Sequence, residues 1–482
     1  MHLSLIFRIL GILLMVFSIT MISPIIVSLI YGDGVYPAFI MAFTITIISG
    51  ALLWMPVYKK GGELRTRDGF LITSLFWIVL GLFGSLPFLL SQTPQMSLSD
   101  AVFESMSGLT TTGATVITGL DNLPKSILFY RQQLQWLGGI GIIVIAVAIL
   151  PMLGVGGMQL YRAETPGPVK DSKLTPRITE TAKALFLIYG LLTISCALAY
   201  WFAGMTGFDA ICHAFSTVAI GGFSTHDASI GYYNSPAIVM ICSLYMLISG
   251  INFALHFFTW RSRRFEHYLR DSETTFYIYT ILGCALVVCS YLIISNTYTL
   301  EEGLLIGLFQ TISIATTTGF VTADFALWPS FLPILLIIMS FMGGCAGSTG
   351  GGMKAVRIML IAKQGVRELK QLVHPNAVIP LKVGKLRVEA KVVSAVWSFF
   401  AVYMFVFLVI LLLLMATGLD YTSAFSAVVA SLNNLGPGLG EVASNYGSIS
   451  ATAKWILSFS MLLGRLEVFT LLVLFTPAFW RP

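Results

Sequence analysis

Four short stretches of this chain carry residue types suited to holding a bare cation. They read Thr110-Thr111-Thr112-Gly113-Ala114, Ala219-Ile220-Gly221-Gly222-Phe223, Thr316-Thr317-Thr318-Gly319-Phe320 and Asn433-Asn434-Leu435-Gly436-Pro437. A dehydrated cation needs oxygens in place of its water, and backbone carbonyls turned towards a common axis supply them. That backbone shape calls for positive φ, which glycine adopts without a Cβ penalty. A single loop of this kind reads equally well as a packing glycine. Aligned on Gly113, Gly222, Gly319 and Gly436, however, the spacings are 109, 97 and 117 residues, a near-constant period that marks four copies of one unit. The candidate filter residues are therefore Thr111, Thr112 and Gly113, then Ile220, Gly221 and Gly222, then Thr317, Thr318 and Gly319, and last Asn434, Leu435 and Gly436. The fourth loop departs most, with Asn-Asn-Leu where the first and third have threonines, and Pro437 removes an N–H behind it.

A second group of residues suits obstruction rather than passage. The run from Gly343 to Gly352 has six glycines in ten residues, which no membrane helix tolerates unbroken at up to ~1 kcal/mol each against alanine. Gly347 to Lys354 nearly fits a phosphate-binding loop. It fails because Met353 intervenes before the lysine, no Ser or Thr follows, and an apolar helix precedes it instead of a strand. Close helix packing by small residues is the plain alternative. The favoured expectation is an unwound intramembrane loop under the filter, with Gly344, Gly347, Ser348, Thr349, Gly350, Gly351, Gly352 and Lys354 as gating residues. Arg465 joins them, because an arginine in the middle of an apolar helix costs at least ~2.5 kcal/mol and must face the bundle interior or water. There it would repel cations or hold the glycine loop through its carbonyls. The alternative is an ion pair with Glu467 of another helix or subunit. His213 and His226 flank the second loop, where they read as satisfied structural histidines or as a source of pH sensitivity.

The elements that must position these residues are membrane helices. Of the 482 residues, 56% are hydrophobic and 10% charged, against the ~25% charged of a soluble domain. Apolar runs near 4–30, 36–58, 69–91, 126–153, 182–204, 236–260, 274–295, 329–362, 392–416 and 453–479 are each read as a spanning helix. The first is too long for a signal-peptide core and lacks a cleavage site, so it is expected to be retained. Shorter apolar stretches near 100–112, 209–221, 301–318 and 420–435 precede the filter loops and cannot span, which predicts re-entrant helices. Acids at their starts (Asp100, Asp209, Glu301, Glu302 and Asp420) favour helix N-termini, leaving the partly negative C-terminal ends aimed at the loops. Basic residues concentrate in alternate loops, which predicts both termini in the cytoplasm and the re-entrant helices dipping in from outside. On this topology eleven acids face only Lys125, Arg131 and Lys454 on the outer side, a field that would concentrate cations. The six cysteines lie mostly in apolar segments without metal-ligand spacing, and six tryptophans, Trp136 among them, fall near predicted helix ends as an interfacial belt would. No His/Asp/Glu cluster at membrane depth suits an enzyme, and a mere scaffold would not need four registered glycines.

With four filter glycines in one chain and a broken helix after the third, the sequence resembles the Trk/Ktr/HKT superfamily of potassium transporters, and within it the bacterial TrkH-type membrane subunits. The resemblance covers essentially the whole chain. It implies an all-α polytopic membrane protein of ten transmembrane helices, eight of them forming four M1–P-loop–M2 repeats around a pseudo-four-fold, potassium-channel-like pore. The corresponding division is 1–66 for two extra helices, then 67–157, 158–264, 265–366 and 367–482 for the repeats. Potassium as permeant ion, a location in the bacterial inner membrane, a homodimer with one pore per chain and a gating loop in the third repeat are what the resemblance implies. So is a cytosolic TrkA-like regulatory subunit that binds nucleotides, this chain binding none itself. Segments 157–181 and 363–391 are basic and would suit that partner or anionic lipid equally. The simplified, irregular filter suggests weaker discrimination among potassium, rubidium and sodium than a symmetrical channel shows. A sodium- or proton-coupled symporter on the same fold is the alternative.

Overall fold

The computed structural model describes residues 2–60, 65–139, 141, 178–384 and 386–481. The expected helix beyond Gly139, the basic residues Arg162, Lys170, Lys173 and Arg177, and the boundary between 157 and 158 lie outside the described residues. Elsewhere regular structure is helical, apart from one short antiparallel ladder pairing Lys382–Val383 with Leu386–Arg387.

Among the described residues, six helices are long and apolar enough to cross a membrane: Leu3–Tyr31, Tyr36–Val57, Arg67–Leu90, Lys183–Phe202, Ser272–Ile294 and Ala390–Ala416. The first two cross closely, because Gly11 and Gly50 face each other. A Cβ on either would stand 2.6–2.7 Å from the other's carbonyl oxygen.

Among the described residues, the second helices of units two, three and four are not straight spans. In the third unit Leu332–Met339 gives way to an irregular loop before Ala355–Val373, as the glycine run predicts. Two helices expected to be continuous are broken as well. Pro236–Ser249 and Phe253–Ser262 meet at 95°, and Ala451–Arg465 and Phe469–Phe475 at 107°. Asn252 caps the new limb by accepting from the Ala254 N–H at 2.8 Å, while Glu467 and Val468 both sit at positive φ, 52° and 55°. Both limbs of each bent pair are apolar, so hydropathy alone runs straight through the corner.

The four short apolar stretches are helices at Leu98–Leu109, Gly207–Val218, Leu300–Ala315 and Tyr421–Leu432. Ser97, Thr206 and Thr299 cap the first three, each accepting from the N–H of an acid (Asp100, Asp209, Glu302). In the fourth the acid itself, Asp420, is the cap. Each second helix packs against its own pore helix and the next: Lys125–Gly139 on Gly207–Val218, Pro236–Ser249 on Leu300–Ala315, Leu332–Met339 on Tyr421–Leu432, and Ala451–Arg465 back on Leu98–Leu109. The arrangement closes into a ring. All six cysteines are buried and free. Trp136 departs from the expected interfacial belt. It is packed inside, stacked on Tyr189 and Phe215 at 5.6 and 5.2 Å, with its indole N–H donating to Thr193 Oγ1 at 3.1 Å.

Candidate functional site

All four pore helices end in the same turn. The N–H of Thr112 donates to the Ser107 carbonyl at 2.9 Å, and those of Gly221, Thr318 and Leu435 to Ser216, Ser313 and Ala430, each at 2.8 Å. One residue earlier, Thr111, Ile220, Thr317 and Asn434 donate three residues back, at 3.0–3.3 Å. This double closure ends a helix with its second-last residue left-handed, and φ there is 55°, 55°, 68° and 56°. Two residues on, Gly113, Gly222, Gly319 and Gly436 are left-handed too, at 80°, 77°, 83° and 97°, while the residue between is not. Alternating handedness gathers successive N–H groups on one side and turns the carbonyls to the other. Three of the left-handed residues are β-branched, an arrangement costing of order 1–3 kcal/mol each that persists only where surroundings enforce it. Asn434 carries the smallest penalty. The fourth loop therefore has the residue its backbone prefers.

The loops meet around one axis. A Cβ built on Gly113 would overlap the carbonyl oxygen of Gly221; on Gly222, that of Thr318; on Gly319, that of Leu435; and on Gly436 it would stand 2.7 Å from that of Thr112. The order runs through units one to four and returns to one. Each of these four glycines is thus needed twice over, for its positive φ and for the close approach of the next unit's carbonyl. Asn434 ties the ends of the ring together, its Nδ2 donating to Thr112 Oγ1 and the Met461 carbonyl, both at 3.0 Å.

Directly against these loops lies the glycine run 343–354. The Gly351 N–H donates to Thr317 Oγ1 at 2.8 Å and the Gly352 N–H to the Asn433 carbonyl at 2.9 Å. Thr349 Oγ1 donates to the carbonyls of Val218 (2.9 Å) and Ser249 (3.3 Å). The corner of the second unit holds it further, the Cys345 N–H donating to the Gly250 carbonyl at 2.8 Å and the Phe253 N–H to that of Gly347 at 3.0 Å. Glu273 Oε1 accepts the N–H of Ala346 at 2.7 Å and of Val356 at 3.1 Å, gripping both ends of the loop. Gly344 packs against Ser348, and Lys354 Nζ folds back onto the Gly350 carbonyl.

Arg465 reaches the same place from the fourth unit. It donates to Thr111 Oγ1 at 3.3 Å, to the carbonyl of Thr349 at 3.4 Å, and to those of Gly138 and Gly139. It therefore touches the first filter loop, the glycine run and the end of the first unit's second helix. Glu467 is paired elsewhere, with Arg357, whose guanidinium lies 4.1 Å over the Phe399 ring.

Comparison with known proteins agrees with this arrangement. The family described as "TrkH: Cation transport protein" matches residues 36–481. This chain belongs to that family. The Trk system potassium uptake protein TrkH of Halomonas elongata is 59% identical over 481 residues, and that of Escherichia coli K12 is 57% identical over 486, each alignment covering 100% of both chains. The crystal structure of the potassium transporter TrkH from Vibrio parahaemolyticus superposes with a TM-score of 0.91 at 55% identity, covering 100% of both chains.

In this TrkH-family chain the ring is braced by charges that the sequence reading assigned to the outer surface. Glu104 and Arg131 are buried, 0% and 1% exposed, and paired at 2.8 Å behind the first loop. Glu104 also accepts from Thr115 Oγ1 (2.9 Å) and the Val116 N–H (3.0 Å), and Arg131 donates to the Ser224 carbonyl at 3.1 Å while lying 4.2 Å over the Phe223 ring. The signal was available, since an acid and a base inside apolar segments call for a partner. Lys454 is likewise bound to Asp100 at 2.6 Å, and Asp33 accepts the Ser126 N–H at 2.9 Å, so fewer acids stand free at the outer mouth than the sequence count implies. His213 is buried between the Asp209 carbonyl and Ser224 Oγ, both at 2.9 Å, a structural role. His226 bridges units instead, 2.5 Å from Asp121 and 3.7 Å from Asp209, with its ring stacked on Tyr232.

Proposed function

We propose that this chain takes up potassium through the ring of four filter loops, and that the glycine run with Arg465 keeps the path closed until a cytosolic partner opens it. The observation that carries this is the closed cyclic order in which each filter glycine meets the next unit's carbonyl oxygen. Such a ring replaces the water of a cation from all sides at once. The relatives are named as potassium uptake proteins. Supporting the closed state, the loop bonds Val218 at the end of the second pore helix, Thr317 and Asn433 in the third and fourth filter loops, and Arg465, and a guanidinium beside the ion path repels cations. Lys354 is turned to Gly350, which suits a structural lysine better than a phosphate ligand.

The distribution of basic residues supports both termini in the cytoplasm of a bacterial inner membrane. The repeating pore helices support the division at 66, 157, 264 and 366. For a TrkA-like nucleotide-binding partner and a homodimer the support is the family resemblance, together with the helix Ala355–Val373, which leaves Leu369, Leu372 and Val373 exposed among basic residues. The decisive experiment is cation flux in liposomes holding purified protein, comparing K⁺, Rb⁺, Na⁺ and Li⁺ with and without the cytosolic partner. Flux ordered K⁺ and Rb⁺ above Na⁺ and Li⁺ is expected, and equal flux of all four would exclude a selective filter.

A further inference from the structure

The residue just before the filter glycine differs among the four loops in a way that leaves one of them short of a side chain. It is Thr112 in the first, Thr318 in the third and Leu435 in the fourth, but Gly221 in the second. The two threonines lock their loops internally, Thr112 Oγ1 to Thr110 Oγ1 at 2.8 Å and Thr318 Oγ1 to Thr316 Oγ1 at 2.7 Å. Leu435 is buried in the apolar core. Gly221 is not in the left-handed region, so its backbone would accept any residue. Space is what requires glycine there. A Cβ would fall on the amide of Gln135, 2.5 Å from Oε1 and 2.8 Å from Nε2.

Gln135 lies on the second helix of the first unit, is fully buried, and uses both ends of its amide on the second loop. Nε2 donates to the Gly221 carbonyl at 2.6 Å, and Oε1 accepts from the Phe223 N–H at 3.0 Å. The orientation of the amide follows from its partners, since a backbone carbonyl only accepts and a backbone N–H only donates. The two bonds straddle Gly222. Among the described residues, the Gly221 carbonyl is the one of the four equivalent oxygens that takes a side-chain donor from outside its loop. That donor draws electron density from the Gly221 oxygen, one of the four that the filter reading turns towards the cation.

We propose that Gln135 is a specificity-determining positioning residue, supplying from the neighbouring unit the side chain that Gly221 lacks and so setting the geometry and field of the second filter loop. The proposal rests on the filter reading above. It predicts reciprocal compensation. Gln135→Ala removes the clamp and should lower the K⁺/Na⁺ permeability ratio about fivefold, the size of one net hydrogen bond. Gly221→Thr alone collides with Gln135 and should lower it as well. Combined with Ala219→Thr, which supplies the partner that Thr110 and Thr316 provide in the first and third loops, Gln135→Ala and Gly221→Thr give the second loop the hydroxyl pair its neighbours use, and the ratio should return towards wild type.

The test measures that ratio by bi-ionic reversal potential in planar bilayers for the two single variants and the combined variant, with thermal unfolding of each as the folding check. Gly319→Ser is run beside them. Folded Gln135→Ala with an unchanged ratio overturns the proposal. If that variant does not fold, the combined variant decides: recovery of fold and ratio together supports the clamp, and failure of either overturns it. If Gly319→Ser also leaves the ratio unchanged, it is the filter reading that falls; if Gly319→Ser alone alters it, only the role of Gln135 does.

Discussion

At Thr111, Ile220, Thr317 and Asn434 the backbone adopts a conformation three of these side chains resist. The penalty persists because the helix-ending turn and the neighbouring loop leave no alternative, and it is how a short helix end becomes a row of aimed carbonyls. Gly319 shows the other half of the requirement, with φ of 83° and no room for a Cβ beside the Leu435 carbonyl. Gly319→Ser is therefore expected to widen the ring and cut the K⁺/Na⁺ ratio about tenfold, equivalent to ~1.4 kcal/mol of differential binding. An unchanged ratio in assembled protein would count against a filter at this position. Arg465 makes a complementary prediction. Removing its charge from beside Thr111 and Thr349 should raise basal K⁺ flux without the partner by about tenfold, since ~1.4 kcal/mol of barrier is a factor of ten in rate. Wild-type flux from folded Arg465→Ala would rule out the barrier.

Among the elements, the loop 343–354 is held less by its own sequence than by groups around it. Glu273 accepts N–H groups at both ends, so Glu273→Ala leaves two buried donors unsatisfied at about 1–3 kcal/mol each. We expect that variant to raise basal flux, Glu273→Gln to raise it less because an acceptor remains, and deletion of 347–351 to raise it most. A deletion that folds and stays closed in the liposome assay would make the loop a packing element only. On the outer side, His226 joins the first and second units. Burial works against its charged form, but the carboxylates of Asp209 and Asp121 outweigh it and hold its pKa above the ordinary imidazole value. A raised pKa gives stability that is complete below ~6.5 and is lost as pH climbs through the higher folded value. The thermal midpoint should therefore fall by a few degrees between pH 6 and pH 9, and His226→Gln should flatten that dependence. An equal slope in the variant would assign the effect to other groups.

For the whole molecule the outstanding question is whether ion movement is coupled. On the proposed reading, a ring of carbonyls closed by a removable loop would be a passive path. Potassium current through purified protein with the partner present should persist when sodium is absent and the pH is equal on both sides. Its loss under either condition would favour the symport reading. The asymmetry of the molecule is also greater than one broken helix. Corners occur in the second helices of units two and four beside the break in unit three, and Gly250 and Arg465 at those corners both bond the glycine run.

What the sequence determines here is everything that repeats or is costly to place: apolar length, the four registered glycines, the glycine run, and an arginine with nowhere to go but the interior. Each is a local property, so it survives without a fold. Even Asn434, read as the irregular position, is locally explicable once its left-handed conformation is known. The tertiary structure alone decided which groups meet across units. Glu104 with Arg131, Glu467 with Arg357 and Gln135 with Gly221 are separated by 27, 110 and 86 residues, so no spacing rule could join them. The corners at Gly250 and Glu467 were hidden for a related reason. At Gly250 the Cys345 N–H takes the helix carbonyl and Asn252 caps the next limb. At Glu467 the helix closes in a left-handed turn with the Val468 N–H on the Leu463 carbonyl at 2.8 Å, and hydropathy does not register where a hydrogen bond goes.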